Sequence, residues 1–370
     1  MSQGAHEPGG RDLVLLGGGH AQVEVLRRFA RRPEPGVRLT LIAREPRSLY
    51  SGLLPAVIRG DCAVTQAAID LAPLAARAGA RLIVAEAVAI DLVVGRVVLA
   101  DGAAVGFDML SIDIGGEPRM PADAAGEGAI PVKPIGRFLD RLTRLDGTLP
   151  AGARLAVVGD GAGGTELALA LAHRFARRAC ILLVGSAPAP LPEAPARARR
   201  VAAAALAAAA VEVRAGVRAG AMHDGRLALS DGTDEPVAAV IWATGVVGPA
   251  LLAAAGLACD ADGCVQVDAG LRSVSHPRVF AAGDCAAISG VARPKAGVWA
   301  VRAGPVLAMN LRRALRGQAP HPWRPQRRAL AILGLGDGRA VAWRGVWSLA
   351  GRGAAGWKAW LDRRWVATYR

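Results

Sequence analysis

Apolar stretches alternate with helical patterns along the first part of the chain. Residues 12–17 predict a buried strand, residues 20–32 follow a helical pattern, and "VRLTLIARE" at 37–45 predicts a second strand. Three glycines, Gly17 to Gly19, separate the first strand from the helix. This order of strand, glycine loop, helix and strand is typical of the unit that binds a dinucleotide pyrophosphate at a helix N-terminus.

The glycine fingerprint of this first unit is incomplete. Gly17 and Gly19 occupy the first two positions of the GxGxxG pattern, but Gln22 stands at the third. An ordinary strand-to-helix turn is therefore the alternative interpretation of the loop.

A second unit repeats the first after about 140 residues. "RLAVVGDGAGGTELALALAHRF", from residue 154, predicts a strand, a glycine turn and a helix, and "CILLVG" at 180–185 predicts the next strand. The fingerprint is complete here, with Gly159, Gly161 and Gly164. Two such units in one chain predict two dinucleotide sites.

Further strands are indicated between and after these units. "RLIVAEAVAID" and "RVVLADGAAVGFDMLSIDIGG" alternate like antiparallel strands, with a turn at Asp101-Gly102. "HPRVFAAGDCA", 276–286, predicts a buried strand that ends at Asp284. Open α/β sheets bind ligands at such strand ends, so Asp284 is a candidate binding residue, with a helix N-cap as its alternative role.

Length and composition predict a folded protein of two or three domains. The 370 residues are 52% hydrophobic, and no run of about 18 uncharged apolar residues predicts a membrane span. The N-terminal "MSQGAHEPGGRD" lacks the apolar core of a secretory signal, and we expect it to be a disordered tail. These features favour a cytoplasmic location.

The five cysteines predict no metal site. None of Cys62, Cys180, Cys259, Cys264 and Cys285 forms a CxxC pair, and no Cys/His spacing suits zinc. Cys180 begins an apolar strand and is expected in the core. Cys259 and Cys264 are a candidate redox pair, against the simpler interpretation of two unrelated thiols.

Positive charge is concentrated near the C-terminal end of the sequence. Residues 311–370 contain 13 Lys and Arg against two acids, or +11 of the net charge of +14, together with six of the eight tryptophans. The excess positive charge therefore indicates what the C-terminal part of the chain binds, and not what the whole protein binds. No recognised nucleic-acid-binding motif accompanies it, so nucleic acid is not an expected partner.

The tail predicts an amphipathic helix. In "GWKAWLDRRWVATYR", Trp357, Trp360, Leu361 and Trp365 share one helical stripe, flanked by basic residues. Such a helix can lie in the membrane interface, which predicts a peripheral position on the inner face of the membrane. Packing of these tryptophans on the domain of the first unit or on the partner in a homodimer is the alternative.

The motifs taken together resemble a family of flavoproteins. The two units, the strand end "ATG" (243–245) and "FAAGD" (280–284) are similar to those of the pyridine nucleotide-disulfide oxidoreductase superfamily, in its branch of type II NADH dehydrogenases and sulfide:quinone oxidoreductases. "GGGHAQVEVLRRF", "YSGLLPAVIRG", "PVKPIGRF" and "PKAGVWAVRAGPVLAMNLRRALRG" resemble the flavoprotein module associated with selenide, water dikinase. The resemblance covers about residues 11–370.

The resemblance implies that FAD binds to the first unit. The glycine loop would hold the pyrophosphate, Asp284 the ribityl chain, and the segment from Lys295 to Val298 would lie against the isoalloxazine ring. The residues assigned to FAD are Gly17, Gly18, Gly19, His20, Ala21, Arg44, Glu45, Asp284, Ala296, Gly297 and Val298. A polar residue at a helix start is usually solvated, which is the alternative role of His20.

The resemblance also implies a nicotinamide dinucleotide site in the second unit. Gly159, Gly161 and Gly164 would approach the dinucleotide, and Glu166 would lie near the nicotinamide and the flavin. Glu166 and Lys295 are the candidate catalytic residues. The alternative for Glu166 is an acid that stabilises the first turn of its helix.

Both units depart from the pattern at the end of their second strand, where an acid should hold a ribose. The first has Ala43 there, and Glu45 is a candidate substitute two residues later. The second has Gly185 followed by Ser186. NADH, NADPH and the absence of any nicotinamide therefore all stay open.

The resemblance leaves three functions open. The complete second fingerprint favours a flavoenzyme that passes electrons from NAD(P)H through FAD to a quinone or another small acceptor. "PKAG" favours oxidation of sulfide or a selenium species, which requires a reactive Cys285 or Cys62. The third is a non-catalytic flavin-bearing partner of a selenium-pathway protein. A disulfide-reductase mechanism is disfavoured, because the first helix lacks the CxxxxC pair.

The predicted fold class is α/β with two Rossmann-like dinucleotide-binding domains. We expect a discontinuous FAD domain, formed by residues 11–125 and 251–318, an inserted NAD(P)-binding domain at 126–250, and a small basic, Trp-rich C-terminal segment at 319–370.

Overall fold

The computed structural model describes residues 10–370 except 125, 127 and 292. Most of the N-terminal segment for which we expect disorder, residues 1–9, lies outside the described residues.

Helices and strands alternate through most of the chain. The α-helices of the described residues are α1 (His20–Arg31), α2 (Leu54–Arg59), α3 (Leu71–Arg77), α4 (Ile135–Thr148), α5 (Ala162–Phe175), α6 (Ala196–Ala208), α7 (Ala250–Ala254), α8 (Gly297–Leu315) and α9 (Arg352–Ala367). The strands of the first part are β1 (Arg11–Leu16), β2 (Val37–Ala43), β3 (Arg47–Leu49), β4 (Ala68–Asp70), β5 (Ala80–Val84), β6 (Ala87–Asp91), β7 (Arg96–Leu99), β8 (Ala104–Gly106), β9 (Met109–Ile112) and β10 (Glu117–Pro118).

The remaining strands belong to the second unit and to the later part of the chain. They are β11 (Ala129–Pro131), β12 (Ala153–Val158), β13 (Ala179–Gly185), β14 (Glu212–Ala215), β15 (Ala219–His223), β16 (Arg226–Leu229), β17 (Asp234–Pro236), β18 (Ala239–Trp242), β19 (Val246–Val247), β20 (Val265–Val267), β21 (Val279–Ala281), β22 (Ala286–Ile288), β23 (Ala331–Gly334), β24 (Ala340–Arg344) and β25 (Trp347–Gly351).

The first unit contains a parallel sheet of five strands in the order β21-β9-β1-β2-β5. Its central strand is apolar from Leu13 to Leu16, all four of which are buried, as expected for a strand covered on both faces. Helix α8 packs on α1 at Gly304, where a Cβ would lie 2.7 Å from the Cβ of Glu24. A glycine at this point lets the two helices approach.

The second unit repeats this arrangement, with a parallel sheet in the order β11-β18-β12-β13-β14. In both units the glycine loop joins the central strand to the helix that comes next. The loops therefore lie at the carboxyl ends of their sheets, where such folds bind ligands.

One strand prediction was partly wrong. The run 81–91 was expected to be antiparallel, but the structure divides it: β5 pairs parallel with β2, while β6 pairs antiparallel with β7. The reason is the crossover through α3, which returns the chain to the start of the sheet and so makes β5 parallel. Strand β9 likewise pairs parallel with β1, and the turn at Asp101-Gly102 joins β7 to β8 as predicted.

The last part of the chain is a folded unit rather than an extended tail. Strands β23, β24 and β25 form an antiparallel sheet, and α9 comes after it. The predicted single stripe on this helix is wrong, because Trp365 stacks on Tyr50 at 4.3 Å between ring centroids while Trp357 and Trp360 stay exposed. The helix thus uses one side for packing and another for solvent.

Within the described residues, no helix combines the length and the apolar character that are needed to cross a membrane.

Candidate functional site

A cleft of about 480 Å³ opens at the carboxyl ends of the first sheet. Its walls come from the first glycine loop, from the residues after β2, and from segments of the chain far away in sequence. The lining residues that bear on binding are Gly17, Gly18, Gly19, His20, Arg44, Glu45, Asp113, Lys133, Asp284 and Gly297.

The first glycine loop packs tightly against the end of β9. Gly17 has a φ of +102°, and a Cβ there would lie 2.2 Å from the carbonyl oxygen of Asp113. A Cβ on Gly19 would lie 2.2 Å from the carboxyl carbon of the same residue. These two glycines are therefore required by the packing of the protein itself.

Asp113, which the sequence patterns did not indicate, caps the helix of the first unit. Its Oδ2 accepts hydrogen bonds from the backbone N–H groups of Ala21 at 2.8 Å and Gln22 at 3.2 Å. Burial raises the pKa of Asp113 to about 7, although these two hydrogen bonds oppose the shift. The signal was available in the sequence, since an acid comes directly after the buried strand "MLSI".

Asp284 lies in a short 3₁₀ turn after β21 and forms an ion pair with Lys133. The residue after this turn begins β22, so the helix N-cap proposed as its alternative role is wrong. Lys133 was also missed as a site residue, although it lies in the stretch "PVKPIGRF". Together the two side chains place an ion pair in the wall of the cleft.

Arg44 and Glu45 come after β2 at the other end of the cleft. Arg44 lies 3.6 Å from Glu86 in an ion pair. The carboxylate oxygens of Glu45 lie 2.5 and 2.6 Å from where a Cβ on Gly136 would be, so this acid reaches the start of α4. Glu45 therefore lines the cleft, and its role as a ribose ligand stays a prediction.

The segment from Lys295 to Val298 leads into α8, and Gly297 lines the cleft. The Lys295 ammonium donates a hydrogen bond of 2.6 Å to the carbonyl oxygen of Ala286. The same ammonium lowers the pKa of the Cys264 thiol, but burial is the larger effect and the net shift is upward. Lys295 is thus held beside the cleft, and its catalytic role stays a prediction.

His20 is part of an aromatic cluster and is not a solvated helix start. Its ring centroid lies 5.4 Å from that of Tyr50 and 4.9 Å from that of Trp365. Burial lowers the pKa of His20 to about 4, so the ring is neutral at pH 7. Sequence patterns could not find this contact, because Trp365 comes from α9.

In the second glycine loop, the surrounding backbone leaves no room for a side chain at two of the three fingerprint glycines. A Cβ on Gly159 would lie 2.4 Å from the carbonyl oxygen of Ala243, and a Cβ on Gly164 would lie 1.9 Å from that of Gly159. A Cβ on Gly161 meets nothing within 4 Å. Packing thus explains two of the three fingerprint glycines, and the third faces open space.

Glu166 lies in the second turn of α5 and contacts the C-terminal unit, so its alternative role as an acid of the first helical turn is wrong. Its Oε1 accepts a hydrogen bond of 2.8 Å from the backbone N–H of Gly334 and lies 3.7 Å from the ammonium of Lys358. Burial raises the pKa of Glu166, against the opposing effect of Lys358. The ammonium of Lys358 in turn donates a hydrogen bond of 2.9 Å to Asp362.

These charges lie at the edge of a second cavity of about 760 Å³. It runs between α2, α5, α6, α9 and the turn that joins β23 to β24. The apolar part of its wall includes Leu53, Pro55, Leu169, Ala172, Ala205 and Ala209. The wall of the cavity is therefore partly apolar and partly charged, since Arg59, Asp337 and Arg339 line it as well.

The two cysteines proposed as reactive, Cys285 and Cys62, lie where burial disfavours the thiolate. Cys285 is buried, and its pKa is raised by burial, as is that of Cys62. All five cysteines are free, so Cys259 and Cys264 form no disulfide. The expectation for Cys180 was wrong: it is the second residue of β13, and its side chain is exposed.

Comparison with known proteins agrees with this geometry. The model of the pyridine nucleotide-disulphide oxidoreductase family matches residues 11–304. An NADH dehydrogenase-like protein of Mycobacterium tuberculosis is 32% identical over 239 residues, which cover 59% of this chain and 58% of that relative. The ferredoxin–NAD(+) reductase component of the p-cumate 2,3-dioxygenase system of Pseudomonas putida is 31% identical over 283 residues, 74% of this chain and 67% of that relative.

The fold is also found among solved structures. The sulfide:quinone oxidoreductase from Aquifex aeolicus matches with a TM-score of 0.78 and 18% identity, over 97% of this chain and 91% of that chain. The predicted fold class is confirmed by this match and by the two parallel sheets. The chain spans less than two thirds of the mycobacterial relative.

Proposed function

The chain belongs to the pyridine nucleotide-disulphide oxidoreductase family, and on this premise we propose that it transfers electrons from NADH or NADPH to a small acceptor, with FAD in the first cleft. FAD supplies the hydride and electron chemistry when bound, while the protein supplies binding, orientation and electrostatics. The observation that carries the proposal is the open space at Gly161, in a loop whose other fingerprint glycines are packed against backbone.

The residues of the first cleft fit FAD. The glycine loop leaves room for a pyrophosphate beside the start of α1, and Glu45 is available to a ribose hydroxyl at the far end. In this proposal Asp284 accepts a hydrogen bond from the ribityl chain, which is supported by its position in the wall of the cleft, while Lys133 balances its charge. Helix α8 begins beside the cleft at Gly297, and its dipole stabilises negative charge near its N-terminus.

For the acceptor, we propose the cavity next to Glu166 and a quinone as its occupant. The apolar wall of this cavity suits a ring with a hydrocarbon tail, and the ammonium of Lys358 suits a carbonyl oxygen. Glu166, whose raised pKa keeps a larger fraction of it protonated, can supply a proton there. The similarity to a sulfide:quinone oxidoreductase supports the same class of acceptor.

We also propose that the C-terminal unit touches the membrane, where such an acceptor would be found. Large apolar side chains are exposed on it: Val346 at 89%, Trp347 at 49% and Trp360 at 50% of their surface. Exposed arginines, Arg363 and Arg364, lie on the same helix as Trp360. Tryptophan at headgroup depth beside basic residues is the pattern of a protein that lies on an anionic bilayer.

Anaerobic titration of the yellow protein with NADH and NADPH tests the main proposal. We expect at least one of them to bleach the flavin absorbance, and a water-soluble quinone to restore it. Sulfide is the comparison reagent, and we expect no bleaching because both candidate thiols have raised pKa values. Bleaching by sulfide alone would refute the proposal.

Vesicle flotation tests the membrane contact. Wild-type protein should float with vesicles rich in phosphatidylserine, and Trp347→Ser combined with Trp360→Ser should reduce the floating fraction. Met309→Ser is a control, because Met309 is an exposed apolar residue of α8 rather than of the C-terminal unit. A wild-type protein that stays at the bottom of the gradient would contradict the contact.

A further inference from the structure

The end of β13 in the second unit has no acid of its own, yet a carboxylate occupies the place. The Oδ2 of Asp160 accepts a hydrogen bond of 2.7 Å from the backbone N–H of Ala187, two residues after the strand. A Cβ on Gly185 would lie 2.3 Å from the Cβ of Asp160 and 2.5 Å from its Oδ2. The glycine at the strand end and the acid in the loop are therefore one arrangement.

The backbone of Asp160 is fixed as well as its side chain. Its carbonyl oxygen accepts a hydrogen bond of 2.7 Å from the N–H of Leu191. Asp160 stands between Gly159 and Gly161, directly beside the position at which Gly161 faces open space. A dinucleotide whose pyrophosphate lies on this loop would bring its adenosine ribose to the end of β13.

We propose that Asp160 selects the nicotinamide dinucleotide and favours NADH over NADPH. The inference rests on the proposed function, because it concerns the donor site of that reaction. A carboxylate at this place accepts hydrogen bonds from the 2′- and 3′-hydroxyls of the adenosine ribose. It repels a 2′-phosphate, since two negative groups would lie in contact.

The cations that could oppose this selection lie farther along the chain. Arg197, Arg199 and Arg200 occupy the first turns of α6, and all three are exposed. Within the described part of the chain, Asp160 has no ion pair with any lysine or arginine. Its charge is therefore not neutralised by a lysine or arginine side chain of the described residues.

Calorimetric titration of the FAD-loaded protein with ADP-ribose and with 2′-phospho-ADP-ribose tests the selection without requiring any electron transfer. We expect the wild-type protein to bind ADP-ribose ~10-fold or more tightly than its 2′-phosphate, the effect of one unfavourable charge contact. Asp160→Asn keeps an oxygen for the N–H of Ala187 and removes the charge. This variant should lower the ratio ~10-fold.

Asp231→Asn is the matched control, because Asp231 is a surface acid of the same unit that pairs with Arg214. It should leave the ratio unchanged. If Asp160→Asn does not fold, Asp160→Ser serves in its place. The proposal is overturned if the wild-type protein binds both ligands equally, prefers the 2′-phosphate or binds neither, or if the folded variant keeps the wild-type ratio. Failure of flavin reduction, by contrast, would overturn only the proposed function.

Discussion

The two glycine loops of this protein join equivalent strands and helices, but the carboxylate that bonds backbone beside each loop comes from a different place. In the first unit, Asp113 lies at the end of β9 and bonds the first amides of α1. In the second, Ala243 stands at the equivalent place, and the acid is Asp160 inside the loop. Asp113 thus bonds a helix N-terminus, whereas Asp160 bonds the backbone just after the neighbouring strand, β13.

This difference teaches what each glycine of the fingerprint does. Gly17 and Gly159 are equivalent, since a Cβ on either would strike the carbonyl oxygen of Asp113 or Ala243. The third position differs: Gly164 touches the loop backbone, whereas Gln22 uses this place to donate hydrogen bonds to Ser111. An incomplete fingerprint is thus compatible with the same fold. A complete fingerprint does not by itself show that one of the two units is the better dinucleotide site.

The largest expected effect comes from the open glycine of the second loop. Gly161→Val should slow flavin reduction by NAD(P)H ~100-fold, because its side chain fills the space that a pyrophosphate needs, while FAD content stays at the wild-type level. Stopped-flow absorbance at nucleotide concentrations below saturation measures the rate. Gly147→Val is the control, since a Cβ on Gly147 also meets nothing within 4 Å, but this residue lies in α4 and not in the loop. A Gly161→Val protein with wild-type kinetics would remove the donor from this loop.

The next effect concerns the first cleft. Asp284→Ala should weaken FAD binding ~10- to 100-fold, since a hydrogen bond to a charged group contributes about 1.5–3 kcal/mol and Lys133 loses its partner. The ratio of flavin to protein absorbance after dialysis measures the loss. Asp262→Ala removes the exposed partner of Arg119 and serves as the control. Full flavin content in Asp284→Ala would exclude the ribityl assignment.

A pH series tests whether the carboxylate of the first loop is as buried as its contacts indicate. The pKa of Asp113 is raised by burial to about 7 in the folded protein, against about 3.9 in an unfolded chain. Its contribution to stability is complete below pH ~4 and is lost as the pH rises to ~7, by at most ~1.4 kcal/mol per pH unit.

Asp113→Asn carries no titrating group at this position. Urea unfolding of both proteins from pH 4 to pH 8 should therefore show the wild-type free energy of unfolding falling relative to that of the variant. A constant difference between the two proteins would show that Asp113 has an ordinary pKa.

The smallest effect is expected at Gly18, the first-loop equivalent of Asp160. A Cβ there would lie 2.9 Å from Leu71 Cδ1, the end of a flexible side chain, and Gly18 lacks a positive φ. Gly18→Ala should therefore lower the free energy of unfolding by ~1 kcal/mol or less and change FAD content less than ~2-fold.

Gly17→Ala is the contrasting variant. Because Gly17 has a φ of +102° and lies against backbone, this variant should fail to retain FAD. Loss of flavin in Gly18→Ala would place the cofactor against that residue.

Sequence patterns predicted the parts of the molecule that depend on local periodicity. The strand–loop–helix units, the glycines and Asp284 are defined by residues that are near each other along the chain, and the structure has these elements within a few residues of the predicted bounds. Asp113 was missed although its place after a buried strand was visible in the sequence, whereas the roles of Lys133 and Asp160 depend on which strand ends lie side by side. No periodic pattern contains that information.

The C-terminal unit also makes contacts that the sequence patterns could not predict. Its helix and its basic character were predicted, but packing and membrane contact were both left open for its tryptophans, and Trp365 packs on Tyr50. The contact of Gly334 with Glu166 joins residues 168 positions apart. Amphipathic periodicity indicates that a helix has two faces, but it does not tell which of them meets protein.

The contact of Tyr369 with Glu24 affects the order in which the protein can fold during translation. The hydroxyl of Tyr369 donates to Glu24 across 345 positions of sequence, and Arg77 bonds the carbonyl oxygens of Tyr369 and Arg370. During synthesis, α1 leaves the ribosome long before these partners exist. The first unit must therefore remain without its last packing layer while some three hundred further residues are translated.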